Sequence, residues 1–126
     1  MATVLIAEDE DQVRVLAESY LQEQGHQTVS AASIEEGLAV FEVVDRIDVL
    51  FTDIVLKGDL DAGLKLAKEA VQRQADLKVL YTTGQAITDG MRAMMVEGAA
   101  VLEKPYTVDQ LQATLSVRLG VKPQPR

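Results

Sequence analysis

The run Glu8-Asp9-Glu10-Asp11 follows directly on the apolar stretch Val4-Leu5-Ile6-Ala7. Four successive carboxylates repel one another, so the cluster is either a solvated turn or a place where something positive is held. Three further short stretches raise a related question. Asp53 closes VLFTD, Thr83 and Gly84 follow VLYT, and Lys104 with Pro105 closes VLEKP. An aspartate can accept a phosphoryl group as an acyl phosphate. Neighbouring carboxylates can hold a hard divalent cation, an ammonium can neutralise a phosphoryl oxygen, and a hydroxyl can donate to one. Each residue also has an ordinary reading. Asp11 is well placed to cap the first helix, Asp53 to cap a turn, Thr83-Gly84 to make a plain turn, and Lys104 to be solvated. The chemistry therefore depends on whether the fold brings these stretches together.

The elements that must position them are legible in the hydrophobic pattern. Short runs rich in Val, Leu and Ile at Val4 to Ala7, Thr28 to Ser30, Asp48 to Thr52, Lys78 to Thr82 and Ala100 to Leu102 read as strands. Between them lie stripes at helical spacing. The first is Val13, Leu16, Ala17, Tyr20 and Leu21, and the second Ile34, Leu38, Phe41 and Val44. The third is Leu64, Leu66, Ala67, Ala70 and Val71, and the fourth Ile87, Met91, Met94 and Met95. Val108, Leu111, Leu115 and Leu119 make the fifth. Gly25 suits a left-handed residue after the first helix, and Ser33 with Glu36 and Thr107 with Gln110 have capping-box spacing. Five strand–helix units in alternation predict one α/β domain with a parallel sheet and helices on both faces. Residues 1–120 form that domain, and 121–126 read as a short frayed tail. In such a sheet a ligand lies outside the carboxyl ends of the strands, where the strand order reverses. Glu8, Asp9, Asp53, Thr83 and Lys104 all follow strands, so one edge should collect them.

Bulk composition narrows the function. A chain of 126 residues is one domain with room for a real core. It has no Cys and a single His, His26, which excludes thiolate chemistry and argues against a transition-metal centre. His26 reads as ordinary surface, and Met91, Met94 and Met95 as packing residues. The net charge of -8 argues against a nucleic-acid surface. No secretory signal or membrane-length apolar run is visible, so a cytoplasmic protein with no membrane partner is expected.

Taken in order, the acid pair after strand one, the Asp after strand three, the Thr-Gly after strand four and the Lys-Pro after strand five resemble the response-regulator receiver domain. The resemblance covers roughly residues 3 to 119. It implies a flavodoxin-like doubly wound (βα)5 fold with strand order 2-1-3-4-5. It also implies a Mg2+-dependent phospho-acceptor switch that is not an enzyme beyond its own phosphorylation and dephosphorylation. Asp53 would be the acceptor, with Thr83 and Lys104 contacting the phosphoryl group. Glu8, Asp9, Asp53 and the backbone carbonyl of Val55 would hold Mg2+. A cis bond before Pro105 would aim Lys104 into the site. The implied phosphodonor is a histidine kinase or histidine phosphotransfer protein. The implied output is protein–protein contact through the surface from Gln85 to Leu119, as no output domain follows in this sequence.

The chain departs from the family pattern in three places. Lys57-Gly58 stand in a loop where the family often has Pro at position 57, so this loop should be looser, with a second positive charge at the pocket mouth. Val101 stands where many members carry a Tyr or Phe that swings inward; Tyr81 or Tyr106 would have to substitute. Val55 and Ala86 lie two residues beyond Asp53 and three beyond Thr83 respectively, and neither can orient an attacking water, so hydrolysis of the acyl phosphate should not be fast. Other readings compete less well. A haloacid-dehalogenase-type phosphohydrolase wants a second Asp at the position of Val55. A nucleotide-binding domain wants a Gly-rich phosphate cradle after strand one, where carboxylates stand instead. A degenerate receiver that binds partners without phosphorylation is the remaining alternative.

Overall fold

The strands assemble as the apolar runs require. The computed structural model describes residues 2–123. It contains β1 (Thr3–Ala7), β2 (Gln27–Ala31), β3 (Val49–Asp53), β4 (Lys78–Thr83) and β5 (Ala100–Glu103) in one sheet of order β2-β1-β3-β4-β5. Every neighbouring pair is parallel. Alternate residues of a strand point to opposite faces, and both faces are covered. Val4 and Ile6 of β1 join one core cluster with Val49, Phe51 and Leu80, whereas Leu5 and Ala7 join the other with Leu50, Val79 and Tyr81. This double burial explains why the inner strands are almost wholly apolar. β2, an edge strand, buries only Ala31.

The helices α1 (Asp11–Glu23) and α5 (Val108–Ala113) cover the first cluster. The helices α2 (Ile34–Val43) and α3 (Ala62–Arg73) cover the second. The short α4 (Asp89–Met94) joins that face only through half-buried Met91 and flanking Met95. α5 continues as a π-helical turn, Thr114–Arg118, so Leu115 and Leu119 still reach the core as their spacing predicts. Among the described residues no helix is long and apolar enough to cross a membrane.

Several local expectations hold. Gly25 has φ 87° and ends α1 in the left-handed region, and Thr107 with Gln110 makes a full capping box. Others need correction. Glu10, not Asp11, occupies the N-cap of α1, and neither caps with its side chain; Asp11 instead pairs with Arg14 at 2.7 Å. Ser33 accepts from the N–H of Glu36, but the Glu36 carboxylate accepts from the N–H of Ala32, one residue beyond the N-cap N–H that a box requires. Leu16 lies outside the buried stripe of α1, 72% exposed, and Ile87 and Met95 flank α4 instead of belonging to it. His26 is buried, not surface. Its Nδ1 accepts the N–H of Ala2 at 3.3 Å, and burial holds its pKa below the ordinary 6.5. In the expected tail, Val121 packs against the core and its N–H bonds the carbonyl of Leu115; residues 124–126 lie outside the described residues.

Candidate functional site

The register sets the carboxyl ends of the strands side by side. Ala7 pairs with Thr52, Asp53 with Thr82, and Thr83 with Glu103. The residues immediately after β1 and β5 and at the end of β3 therefore meet at one edge, where the path reverses between β1 and β3. There Lys104 Nζ lies 2.7 Å from Glu8 Oε1 and 2.7 Å from Asp53 Oδ2. Carboxylate oxygens of Glu8, Asp9 and Asp53 lie within 4.8 Å of one another. Residues separated by as much as 96 positions in the chain are thus brought into direct contact.

Backbone donors hold the acids in place. Asp53 Oδ1 accepts the N–H of Val55 at 3.2 Å, Glu8 Oε2 the N–H of Glu10 at 3.1 Å, and Asp9 Oδ2 the N–H of Lys57 at 3.0 Å. The turn-capping role considered for Asp53 and its place in the site thus coexist. Lys104 is fixed from behind by its own N–H, which donates to the Thr83 carbonyl at 2.9 Å. The Lys104–Pro105 peptide bond is cis. Burial raises the Glu8 pKa above 4.5 against the opposing pull of Lys104 and the Glu10 N–H. For Lys104, burial works against the charged form, but hydrogen bonds and charge from Asp53 and Glu8 outweigh it and the pKa is raised.

The charge balance bears on what fits. Three carboxylates against one ammonium leave a formal charge of two minus, from -3 + 1. All the acidic donors are hard oxygens, and no His or Cys accompanies them. Such a set suits a hard dication such as Mg2+ over the softer metals that prefer imidazole or thiolate. Val55, half-buried, lies two residues beyond Asp53 and is tied to it through its N–H.

Thr83 is at the site but not yet in it. It is buried, and its Oγ1 accepts the N–H of Gln85 at 3.1 Å instead of contacting Asp53 or Lys104. That bond ties the hydroxyl to the segment leading into α4. Beside it, the Thr82 hydroxyl is buried without a partner among the described residues.

The loop after Asp53 is tight, contrary to the expectation that Lys57-Gly58 would loosen it. Lys57 and Gly58 have φ of 50° and 79°, and Leu56 and Asp59 exchange both backbone hydrogen bonds across them. Two successive left-handed residues make a type I′ turn, and buried Leu56 anchors it. The possible aromatic substitutes for Val101 differ in setting. Tyr81 is fully buried and its hydroxyl accepts the N–H of Val96 at 3.1 Å. Tyr106 is half-buried, edge-on to Phe51 with ring centroids 5.9 Å apart.

One residue of the site is not evident from motif spacing. A Cβ on Gly63 would fall 2.1 Å from the carbonyl oxygen of Asp53. Glycine lets the first turn of α3 close on Asp53, and the Gly63 N–H then bonds the Ile54 carbonyl at 2.8 Å. Its signal in the sequence is a glycine inside the start of an amphipathic stripe, where it weakens the helix and so needs a packing reason.

Comparison with known proteins agrees with this geometry. The family model described as response regulator receiver domain matches residues 4–116. The chain is 32% identical over 120 residues to the sensor kinase CckA of Brucella abortus, spanning 94% of this chain but 12% of that kinase. It is 28% identical over 114 residues to the response regulator receiver protein CpdR of the same organism, spanning 88% of this chain and 91% of that protein. The response regulator TrrA of Thermotoga maritima, solved in complex with Mg2+ and BeF, matches with a TM-score of 0.78 at 25% identity over 94% of this chain and 99% of that one. Together with the doubly wound sheet and the acidic edge, these matches establish that the chain belongs to the response regulator receiver domain family of two-component signalling.

Proposed function

We propose that the protein is a cytoplasmic phospho-acceptor switch in which Asp53 receives a phosphoryl group from a histidine kinase or a histidine phosphotransfer protein. The observation that carries this reading is Lys104 Nζ at 2.7 Å from both Asp53 and Glu8, at an edge that also gathers Asp9. Glu8, Asp9, Asp53 and the Val55 carbonyl would hold Mg2+. When bound, the ion screens the repulsion between phosphoryl oxygens and the attacking carboxylate. In the transfer, a carboxylate oxygen of Asp53 bonds to phosphorus as the P–N bond to the donor imidazole breaks. That bond's electron pair returns to the imidazole nitrogen, and the product is an acyl phosphate. Lys104, a compact charge on a flexible stem, exchanges its bond to Asp53 for one to a phosphoryl oxygen. The Thr83 hydroxyl, which accepts from Gln85, would donate a hydrogen bond to another.

Movement of Thr83 toward the phosphoryl group would be carried outward through its bond to Gln85, since that segment leads into α4. α4 has no buried residue and exposes Met94, so little holds it in one position. This supports output through the Gln85–Leu119 surface to a protein target. The only chemistry catalysed is the protein's own phosphorylation and dephosphorylation.

The test is intact mass after incubation with acetyl phosphate, with and without Mg2+, beside an Asp53→Asn variant. The expected result is one phosphoryl adduct in the presence of Mg2+ and none in the variant. Half-buried Val55 and exposed Ala86 offer no group to orient water, so the adduct should persist well beyond seconds. No adduct with either acetyl phosphate or a histidine-phosphorylated donor would overturn the reading and favour a phosphorylation-independent binding module.

A further inference from the structure

The hydrogen bond from the Lys57 N–H to Asp9 crosses from the loop after β3 to the loop after β1, over 48 residues of chain. Asp9 is the most exposed of the three clustered carboxylates, and a short side chain on a loop is free to rotate unless something fixes it. The bond engages Oδ2 and leaves the other oxygen available. A donor that occupies one oxygen of a metal-binding carboxylate orients the remaining lone pairs and lowers the cost of ordering them.

The donor is itself held in place. Among the described residues Lys57 is the only one other than glycine with positive φ. The reciprocal Leu56–Asp59 bonds close the turn around it. Leu56 pins the turn to the core, 2% exposed. On the other side Asp59 accepts the N–H of Asp61 and pairs with Lys65 of α3. The type I′ geometry, uncommon for a lysine, thus presents one N–H to Asp9 from a rigid platform. A proline at this position would lack the N–H and could not take φ 50°.

We propose that the backbone N–H of Lys57 is a positioning group for the cation site: it sets Asp9 and thereby raises Mg2+ affinity, while the lysine side chain has no part in this. The inference rests on the Mg2+ reading of the cluster given above.

The test compares three proteins by Mg2+ titration followed by NMR: wild type, Lys57→Gly, and a protein carrying the α-hydroxy acid analogue of lysine at position 57. Glycine keeps the N–H and accepts positive φ; the hydroxy acid keeps the side chain and replaces the N–H by an ester oxygen. Glycine should bind Mg2+ within about twofold of wild type, and the ester at least tenfold more weakly, the lower end of the usual effect of losing such a partner. In wild type the Lys57 amide should exchange no faster with Mg2+ bound than without it. Wild-type affinity in the ester protein would overturn the inference, as would equal losses in both altered proteins or faster exchange of the amide with Mg2+. If wild type itself binds no Mg2+, the cation-site reading fails first and this inference falls with it.

Discussion

Lys104 shows how the site balances its own charge. It bridges two carboxylates at equal distance, so neither Glu8 nor Asp53 is buried uncompensated. The compensation is incomplete for Glu8, whose raised pKa says that its ionised form is less favourable here than in water. For a group with a raised folded-state pKa, the stabilising contribution is full below the unfolded value, here 4.5, and is lost as pH rises through the folded value. Ionised Glu8 therefore opposes folding at neutral pH. Glu8→Gln should stabilise the Mg2+-free protein, by an amount that grows as pH increases above about 4.5. Urea midpoints of wild type and variant from pH 4 to pH 8 in EDTA check this; a variant that is less stable at pH 8 than wild type would refute it. On the proposed Mg2+ reading, the same variant should also bind Mg2+ more weakly.

Among the elements, the close approach of α3 to the end of β3 sets the position of Asp53. Gly63 permits it, because any side chain there would meet the Asp53 carbonyl. Gly63→Ala gains helix propensity of about 1 kcal/mol, but forced overpacking typically costs about 1–3 kcal/mol and sometimes more. With a 2.1 Å backbone clash the larger penalty wins. A net loss of about 2 kcal/mol is expected from chemical denaturation, together with slower labelling by acetyl phosphate because Asp53 must shift. Equal stability and labelling would mean that α3 can back away freely. α4 stands at the other extreme. It has six residues, includes Gly90, and buries none of them. Its attachment runs through Met91, Met95 and the Tyr81–Val96 hydrogen bond. An element so lightly held is suited to respond when Thr83 and Gln85 rearrange.

For the molecule as a whole, charge and stability are linked through the same edge. The net charge of -8 includes the clustered carboxylates at the carboxyl ends of β1 and β3. A cation bound only by the folded state stabilises it by mass action, about 2.7 kcal/mol at a hundredfold excess over its Kd. Calorimetry should therefore show a rise of several °C in Tm with saturating Mg2+. Sodium chloride at equal ionic strength should not reproduce it, and the rise should shrink in Glu8→Gln. A Tm shift that sodium chloride reproduces would point to general screening.

The sequence by itself determined the alternation of five strands and helices, because apolar periodicity is local and both-sided burial leaves inner strands almost wholly apolar. It also determined which residues stand at strand ends and, through motif order, the family. Tertiary structure alone decided what those residues touch. The Lys104 bridge and the Lys57 bond to Asp9 join positions 48 to 96 residues apart, and no local pattern encodes them. His26, beside Gly25, reads as surface for the same reason, and only the tertiary structure shows it buried with its Nδ1 accepting the Ala2 N–H. The turn at Lys57-Gly58 looked loose by composition, yet reciprocal hydrogen bonds and a buried leucine make it firm. Local sequence specifies conformational preference, whereas contact between distant segments specifies which preference is held and which group is aimed at the site.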